Sequence, residues 1–299
     1  MVTVAAFYRF APLPDPGALR GPLARLACGL GVKGSVLLAP EGVNGTIAGS
    51  AEAVGAVLDR LRAEQGFGGL EAKLSGAEVM PFGKLKVRLK REIVTMGRPL
   101  SSSDAVGDYV APSDWNAVLR DPGTVVVDVR NAYEVAIGSF EGALDPGTET
   151  FGEFPEWWAA NRERLAGKRV AMFCTGGIRC EKSTALLRAE GVEDVVHLRG
   201  GILKYLEEVP EEESLWHGGC FVFDDRVSVG HGLVPGGHVL CHACRRPVPP
   251  EAMESPDWEA GVSCPLCIGE FDRSDRARFR ERMRQIGLAR ARGTRHLGS

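Results

Sequence analysis

The sequence predicts an α/β protein with three consecutive regions. Two stretches alternate short apolar strands with helices, the pattern of sheets packed against helices. A third stretch has little regular periodicity and carries two Cys-x-x-Cys pairs. We therefore expect a small α+β domain over residues 1–96, a linker over 97–112, a parallel-sheet α/β domain over 113–217 and a cysteine-rich region with a basic tail over 218–299.

The first region is predicted to be a split βαβ domain of the ferredoxin-like type. Its expected order is strand, helix, strand, strand, helix, strand, over residues 2–8, 16–30, 34–39, 46–48, 51–64 and 85–89. A turn is expected at Asn44-Gly45, a pair that favours tight turns. This order of elements defines the split βαβ arrangement.

The last of these strands is strongly basic. Cations alternate with apolar residues, so a period of two would place all the cations on one face: Lys84, Lys86, Arg88 and Lys90. Such a face suits phosphate binding, which makes these residues candidate RNA contacts. An exposed edge strand that lysines protect from aggregation explains the pattern as well.

The second region reads as a parallel-sheet domain. Residues 97–112 have the Gly, Pro and Ser content of a linker, and Ser113 is positioned to cap the first helix. Strands and helices then alternate up to a final strand over 195–198 and a closing helix after Gly200-Gly201. Alternation of this kind implies parallel strands, whose carboxyl edge is where open α/β sheets bind ligands.

Cys174 stands at that edge, between the apolar run of residues 170–173 and a helix. We expect the loop that follows it to surround the thiol with backbone N–H groups, which favour an anion at a helix N-terminus. Such a thiol ionises easily and acts as a nucleophile. A buried cysteine that ends a core strand is the alternative, although glycines are poor choices for packing. The loop residues in question are Thr175, Gly176, Gly177, Ile178 and Arg179.

Several motifs of this region resemble the rhodanese homology domain: Asp128-Val129-Arg130, Tyr133-Glu134, residues 138–143 and the loop of residues 174–179. In that family a persulfide-carrying cysteine begins a six-residue loop that ends in arginine. The resemblance implies that Cys174 is the catalytic sulfur and Arg179 the loop-closing cation. Asp128 and Arg130 are expected to hold the neighbouring loop rather than to touch substrate. Cys180 replaces the usual Ser or Thr and is either a resolving thiol or a bystander.

The third region is predicted to bind zinc. Cys241, Cys244, Cys264 and Cys267 form two knuckles separated by 19 residues, the spacing of a zinc ribbon. Four thiolates can close a tetrahedron around the metal and leave no open position, so the zinc would be structural. Four free thiols or two dithiols are the alternatives.

The C-terminal tail is a candidate nucleic-acid arm. Nine arginines lie between Arg273 and Arg295, against only Asp275 and Glu281. The whole chain carries a net charge of −3, so only local clusters can select a polyanion. A solvated basic helix is the alternative, but together with the basic strand the tail favours RNA. The expected contacts from this segment are Arg273, Arg276, Arg280 and Arg284.

Taken in order, five segments resemble the bacterial rhodanese-related tRNA uridine hydroxylases: residues 40–46, 174–182, 200–207, 221–224 and 241–267. The resemblance implies that the protein forms 5-hydroxyuridine at the wobble position, with O₂ as co-substrate and the anticodon region of tRNA as partner. The rhodanese signature alone does not identify a substrate. A rhodanese-type sulfurtransferase and a noncatalytic tRNA-binding protein therefore remain alternatives.

The sequence shows no ligand set for a flavin, a haem or a redox iron. Our working hypothesis is that the Cys174 thiolate adds to C6 of uracil and that C5 then captures an oxidant. Arg179 and the loop N–H groups would stabilise the developing charge, and Cys180 would discharge an oxidised Cys174 as a disulfide.

The N-terminus lacks the segments of a secretory signal, and no apolar run approaches the roughly 20 residues that span a bilayer. We therefore expect a cytoplasmic protein with no membrane partner. In a reducing cytoplasm the eight cysteines favour metal binding or catalysis over disulfides.

Overall fold

The structure is a computed structural model that describes residues 1–101 and 104–293. Its N-terminal domain contains β1 (Val2–Phe10), α1 (Pro16–Gly29), β2 (Lys33–Ala39), β3 (Gly42–Gly49), α2 (Ala51–Arg62), β4 (Ala72–Ala77) and β5 (Leu85–Leu89). The sheet order is β4-β1-β3-β2-β5. Asp15 and Ser50 cap the two helices by accepting hydrogen bonds from the N–H groups of Ala18 and Ala53, at 2.9 and 3.2 Å.

The ferredoxin-like prediction is confirmed, but its fourth strand is β4 and not β5. β4 pairs antiparallel with β1, whereas β5 adds a fifth strand parallel to β2 at the sheet edge. The segment of β4 reads AKLSGA and has no aromatic or β-branched residue, so its strand conformation comes from pairing rather than from intrinsic preference.

The turn predicted at Asn44-Gly45 is wrong, because both residues lie inside β3. The chain turns instead at Pro40-Glu41. Gly45 is needed for close approach: a Cβ there would lie 2.7 Å from the Phe7 ring. The Asn44 side chain donates a hydrogen bond to the carbonyl oxygen of Ile93 at 2.9 Å.

The central domain is built on a four-stranded parallel sheet. Its elements are β6 (Asp108–Val110), α3 (Pro112–Arg120), β7 (Thr124–Asp128), α4 (Ala132–Val135), β8 (Gly138–Phe140), α5 (Phe154–Leu165), β9 (Arg169–Phe173), α6 (Ile178–Ala189), β10 (Val195–Leu198) and α7 (Gly201–Glu208). The order is β6-β10-β9-β7, and every pairing in it is parallel, as predicted. Cys174 follows β9 directly, so it lies at the carboxyl edge of the sheet.

Two details near the predicted linker differ from expectation. β6 lies within residues 97–112 and pairs with β10, so this part of the range belongs to the central sheet. Ser113 does not cap α3, because that helix begins at Pro112 and its N-cap is Ala111 without a side-chain bond. Proline supplies the fixed φ that favours a first helical position, so no side-chain cap is required. Ser102 and Ser103 of the linker lie outside the described residues.

The chain after residue 208 contains short paired strands and one long helix. These are β11 (Trp216–Gly218), β12 (Cys220–Phe221), β13 (Ser228–Val229), β14 (Val239–Leu240), β15 (Pro247–Val248) and α8 (Arg273–Ala291). β11 pairs with β8, and Cys220, Val222, Val229 and Leu233 are buried in the core of the central domain. The predicted boundary at residue 217 therefore falls within a packed unit.

The first two domains are joined by a buried ion cluster. Lys182 of α6 has no exposed side-chain surface and lies 2.9 Å from a carboxylate oxygen of Glu41 and 2.6 Å from one of Glu92. Both carboxylates also accept hydrogen bonds from backbone N–H groups of residues 93–100. The N–H of Ile93, for example, donates to Glu41 at 2.7 Å. A buried cation with two partners fixes α6 against the N-terminal domain. No helix within the described residues is long and apolar enough to cross a membrane.

Candidate active site and metal centre

The loop after β9 encloses the sulfur of Cys174. Gly177, the N-cap of α6, has a φ of 100°, and its N–H donates to Cys174 Sγ at 3.1 Å. This backbone conformation is open to glycine and strained for most other residues. The loop also packs closely on the start of α7, where a Cβ on Gly201 would lie 2.4 Å from the carbonyl oxygen of Cys174. Glycine is therefore required at both positions.

The surroundings of Cys174 favour a thiolate. Burial opposes ionisation, but the neighbouring Cys180 thiol, the Arg179 guanidinium and the backbone N–H groups of both residues together lower the pKa of the Cys174 thiol to about 5. An ordinary cysteine has a pKa near 8.5. At neutral pH this sulfur is therefore an anion, the form that acts as a nucleophile.

Cys180 lies beside Cys174 and is protonated rather than ionised. Burial and the adjacent Cys174 sulfur raise the pKa of the Cys180 thiol well above its ordinary value. Both side chains are fully buried. The site therefore holds one thiolate and one protonated thiol, two sulfurs of unequal reactivity.

Arg179 does not point freely at substrate. Its two terminal nitrogens donate to the carboxylate oxygens of Glu134 at 2.5 and 2.8 Å, and one of them also reaches Thr175 Oγ1 at 3.2 Å. The Thr175 hydroxyl donates to Glu134 at 3.1 Å. Although burial opposes ionisation of Glu134, Arg179 lowers the pKa of that carboxyl. Sequence reasoning did not assign Glu134 to the site, although the Tyr133-Glu134 motif was its signal.

Asp128 and Arg130 form a second buried pair. Arg130 donates to both carboxylate oxygens of Asp128, at 2.9 and 2.6 Å, and to the carbonyl oxygens of Glu134 and Gly138 at 3.2 and 2.6 Å. Neither side chain of the ion pair is exposed. The pair therefore ties the end of β7 to α4, the helix that carries Glu134.

The N-terminal domain contributes Lys73 and Tyr8, which sequence reasoning missed. Lys73 Nζ donates to the carbonyl oxygen of Gly176 at 2.9 Å, and the Tyr8 hydroxyl donates to Glu181 at 3.1 Å. Within the described residues no carboxylate lies at ion-pair distance from Lys73. Burial lowers the pKa of this lysine, while the nearby Cys174 sulfur opposes the shift. Lys73 belongs to β4, the strand that the sequence did not reveal.

A cavity of about 560 Å³ lies against this loop. Its volume falls in the range of sites for small organic ligands. The period of two along the N-terminal strands places one set of side chains on the helices and turns the other set to the cavity. Several parts of the chain line it, among them Ala6, Tyr8, Thr46 and Lys73 from the first sheet, residues 92–95, Thr175, Gly176 and Arg179 from the loop, and residues 222–224 beyond β12.

Comparison with known proteins places this geometry in a family. Residues 2–93 match the model of the UPF0176 acylphosphatase-like domain, and residues 112–208 match the rhodanese-like domain. A tRNA uridine(34) hydroxylase from Mesorhizobium japonicum is 58% identical over 100% of this chain and 97% of its own. A relative of the same name from a Jannaschia species is 58% identical over 100% of this chain and 99% of its own. One from Brucella ovis is 58% identical over 99% of this chain and 98% of its own. The chain belongs to the tRNA uridine(34) hydroxylase family. The resemblance found in the sequence is confirmed.

The four knuckle cysteines of this hydroxylase-family chain converge as a metal site. Their sulfur atoms all lie within 4.8 Å of one another, with separations of 3.9 Å for Cys241–Cys267, 3.8 Å for Cys244–Cys264 and 3.6 Å for Cys264–Cys267. Sulfurs about 2.3 Å from a tetrahedral zinc would be separated by roughly 3.8 Å. The cluster therefore fits a metal of that size and can hold one.

The basic residues predicted to bind RNA lie in two places. On β5, Arg88 is exposed and Lys86 is half-buried. Lys84 and Lys90 flank the strand and are both exposed, and Lys90 also lines the cavity. The predicted separation of faces is incomplete, because Leu89 is 47% exposed.

On α8 the arginines differ in their partners. Arg273 is exposed, whereas Arg276 donates to the carbonyl oxygen of Ile268 at 3.3 Å. Arg280 binds Glu259 and Arg284 binds Glu281, each with a carboxylate oxygen within 2.8 Å. Arg295 lies outside the described residues.

Proposed function

We propose that the protein hydroxylates C5 of uridine 34 in tRNA, with Cys174 as its nucleophile. The observation that carries the proposal is a buried sulfur whose pKa is lowered to about 5, in a loop that borders a cavity of about 560 Å³. Plain packing requires no such anion. The relatives named for this activity match the chain over almost its whole length.

In the first step the Cys174 thiolate adds to C6 of the uracil ring. The electron pair of the C5–C6 bond moves to C5 and its negative charge is shared with O4. Lys73 is the group suited to hold that charge, because it lines the cavity, contacts the loop through the Gly176 carbonyl and has no carboxylate partner among the described residues. A fixed cation at a developing oxyanion is the usual source of large rate effects.

Arg179 then has a different role from the one expected from the sequence. Its hydrogen bonds go to Glu134 and Thr175, so it stabilises the loop and the thiolate rather than the substrate. We therefore infer that Arg179 is a positioning residue. Glu134 holds it in place.

Dioxygen is the proposed source of the new oxygen atom. Replacing C5–H by C5–OH removes two electrons from the ring, whereas reducing dioxygen to one hydroxyl oxygen and one water takes four. We infer that Cys174 and Cys180 supply the remaining two electrons. Cys174 is bonded to C6 at this stage, so only Cys180 is free to react with an oxygen adduct at C5.

Cys180 takes up the second oxygen atom of dioxygen. C5 takes up dioxygen as a peroxide anion, which takes the proton of the Cys180 thiol and becomes a hydroperoxide. The Cys180 thiolate then accepts the outer oxygen as a sulfenic acid and leaves an alkoxide at C5, which takes up a proton and becomes C5–OH. Loss of the C5 proton expels the Cys174 thiolate from C6. This thiolate attacks the Cys180 sulfenic acid, which releases water and forms a disulfide that a cellular dithiol reduces. One proton is taken from solution, because Cys174 begins as an anion.

The proposed partner is the anticodon region of tRNA, where uridine 34 has to leave the base stack to enter the cavity beside the Cys174 loop. Exposed cations suited to the backbone include Lys90 at the cavity and Arg273 on α8. We further infer that the cysteine cluster binds zinc as a structural ion, since its four sulfurs leave no open position. The proposed site of action is the cytoplasm, where tRNA and reduced thiols occur.

The test is nucleoside mass spectrometry of tRNA incubated with purified protein, dioxygen and a dithiol. Wild type is expected to form 5-hydroxyuridine and Cys174→Ala none. Cys180→Ala is expected to stop after the adduct forms; full turnover by this variant would limit Cys180 to packing. Formation of thiocyanate from thiosulfate and cyanide, without hydroxyuridine, would instead identify a sulfurtransferase. Tight tRNA binding without any base change would identify a noncatalytic tRNA-binding protein.

A further inference from the structure

Phe223 is exposed where an aromatic ring would ordinarily be buried. It lies in the turn between β12 and β13, where Phe221 and Val222 are each 6% exposed, yet 58% of Phe223 is open. The residue lines the same cavity as Thr175 and Gly176 of the cysteine loop. A large exposed apolar side chain at a cavity indicates a binding contact more often than a packing one.

The turn that carries Phe223 is held firmly on both sides. Arg226 donates to both carboxylate oxygens of Asp224, at 2.8 and 2.7 Å, and to Ser75 Oγ of the N-terminal domain at 2.8 Å. The N–H of Asp225 donates to the carbonyl oxygen of Pro81 at 3.0 Å. The ring is therefore presented from a fixed backbone, which is the condition for a preorganised contact.

The ring itself is supported by other aromatic residues. Its centroid lies 5.1 Å from that of Phe221 at an interplanar angle of 83°, and Phe221 in turn contacts Tyr133 at 5.3 Å and 82°. Tyr133 precedes Glu134, the partner of Arg179. A row of edge-to-face rings thus connects the exposed ring with the element that holds the cysteine loop.

We propose that Phe223 is a stacking subsite for an unpaired nucleobase next to uridine 34. The inference rests on the proposed function and deepens it. When uridine 34 leaves the anticodon stack to reach Cys174, the adjacent base loses its stacking partner. An aromatic ring at the mouth of the same cavity replaces that partner, and stacking of this kind tolerates any base because every base has a π-face.

The small size of the exposed apolar surface favours an RNA base over a second protein. Phe223 is a single exposed ring beside the Asp224–Arg226 ion pair, and the exposed Lys90 lines the same cavity. Protein partners bind larger contiguous apolar patches. A single exposed aromatic ring beside a cavity that an exposed lysine also lines is instead suited to stacking on one unpaired base.

The experiment compares Phe223→Ala, Phe223→Leu and Phe223→Trp on the full chain, with an unmodified anticodon stem-loop RNA as substrate. Loss of one base stack is expected to raise KM by about 5- to 150-fold in the Ala and Leu variants, with kcat within about twofold of wild type. The Trp variant should retain the wild-type KM, and its added fluorescence should be quenched by the RNA. Leu266→Ala is the matched control, since Leu266 is also 58% exposed but lies between the knuckle cysteines.

A wild-type KM in the Leu variant would show that the position needs only an apolar side chain and not an aromatic ring, and this would overturn the inference. So would a wild-type KM in the Ala variant, or unchanged fluorescence of the Trp variant on saturation with RNA. Binding of the stem-loop is also measured directly, because it requires no chemistry. If wild type binds RNA without hydroxylating it, the proposed function fails while the loss of affinity in the Ala variant still supports the stacking subsite.

Discussion

Glu134 binds Arg179 through both carboxylate oxygens, at 2.5 and 2.8 Å, and neither side chain is more than 7% exposed. This pair places a guanidinium beside the thiolate without leaving it free to bind substrate. The cation helps to lower the pKa of Cys174. The carboxylate fixes the cation, so the nucleophile depends on a residue that need not touch the substrate.

Replacing Glu134 by Ala should therefore destabilise the fold as well as the site. It leaves Arg179 buried without its counter-charge, and removing one partner of a buried pair costs about 3–5 kcal/mol in the free energy of unfolding. Denaturant unfolding of the full chain measures this loss. Glu141→Ala is the control, because Glu141 is exposed and should change stability by less than about 0.5 kcal/mol. Equal stability of the two variants would contradict the assignment.

The reactivity of Cys174 should follow a pKa near 5. Its thiolate predominates above that pH and is lost as the pH falls through it, so the alkylation rate should be flat at neutral pH and decline in acid. Peptide-resolved mass spectrometry separates this site from the exposed Cys28. In Cys180→Ala the midpoint should move to higher pH, because the neighbouring thiol stabilises the anion. A Cys174 profile that rises only above pH 8 would contradict a lowered pKa.

Burial of the sulfur affects the same measurement. Cys174 is 0% exposed, so reagents reach it only when the site opens. The absolute rate should therefore be lower than for an exposed thiolate, while its pH dependence still reports the pKa. The stability contributed by this ionisation has a defined sign. It is fully present above the ordinary cysteine pKa and is lost progressively as the pH falls toward 5.

Lys73→Met should reduce kcat far more than it changes tRNA binding. The variant keeps the length of the side chain but removes the cation proposed to hold the charge on O4, and the loss of one such group costs about 100- to 1000-fold in rate. Single-turnover hydroxylation at saturating tRNA measures the effect. Lys168→Met is the matched control, since Lys168 is exposed just before β9, at the edge of the sheet opposite Cys174. A decrease confined to KM would make Lys73 a binding residue only.

The local parts of the site could be predicted from sequence and the long-range parts could not. Cys174, its glycines and Arg179 occupy consecutive positions between a strand and a helix, so short-range pattern is enough to locate them. Lys73 contacts the loop from 103 residues earlier in the chain, on a strand without β-forming residues. No periodicity brings these two segments together; only the packing of the first sheet against the central domain does.

The same distinction separates correct from incorrect details of the fold. Asn44-Gly45 has turn chemistry but lies inside β3, because strand pairing and contact with the Phe7 ring decide its conformation. Arg280 and Arg284 are predicted from the sequence to contact RNA, yet in the structure each has a carboxylate partner. One of these partners, Glu259, comes from a loop 21 residues away.

Removal of the metal should unfold the knuckle region without inactivating the thiolate. Apart from the four cysteines this region buries few apolar side chains, among them Val248, so the proposed zinc would supply much of its folding energy. A chelator should release one zinc per chain and make all four knuckle thiols reactive, as a colorimetric thiol assay detects. Alkylation of Cys174 should keep its pH profile. Unchanged protection of the knuckle thiols after complete metal removal would contradict a structural ion.

The arginines of α8 should differ in their contribution to tRNA binding. If α8 binds the phosphate backbone, an arginine without an ion pair should contribute more than one that is already paired. Within the described residues Arg273 has no such partner, whereas Arg284 binds Glu281 at 2.8 Å. Arg273→Gln should therefore weaken tRNA binding and lower the slope of log affinity against log salt by about 0.7–0.9, the value for one phosphate contact.

Arg284→Gln is the matched control for this measurement. Its guanidinium is exposed but shared with Glu281, so binding to phosphate first has to break that pair. Removing it should change the salt dependence by less than removing Arg273. Filter binding at a series of salt concentrations distinguishes the two variants. Identical slopes of log affinity against log salt for wild type and Arg273→Gln would show that Arg273 does not contact phosphate. The arginines of α8 would then be a solvated basic surface, and tRNA would bind at the cavity and its rim.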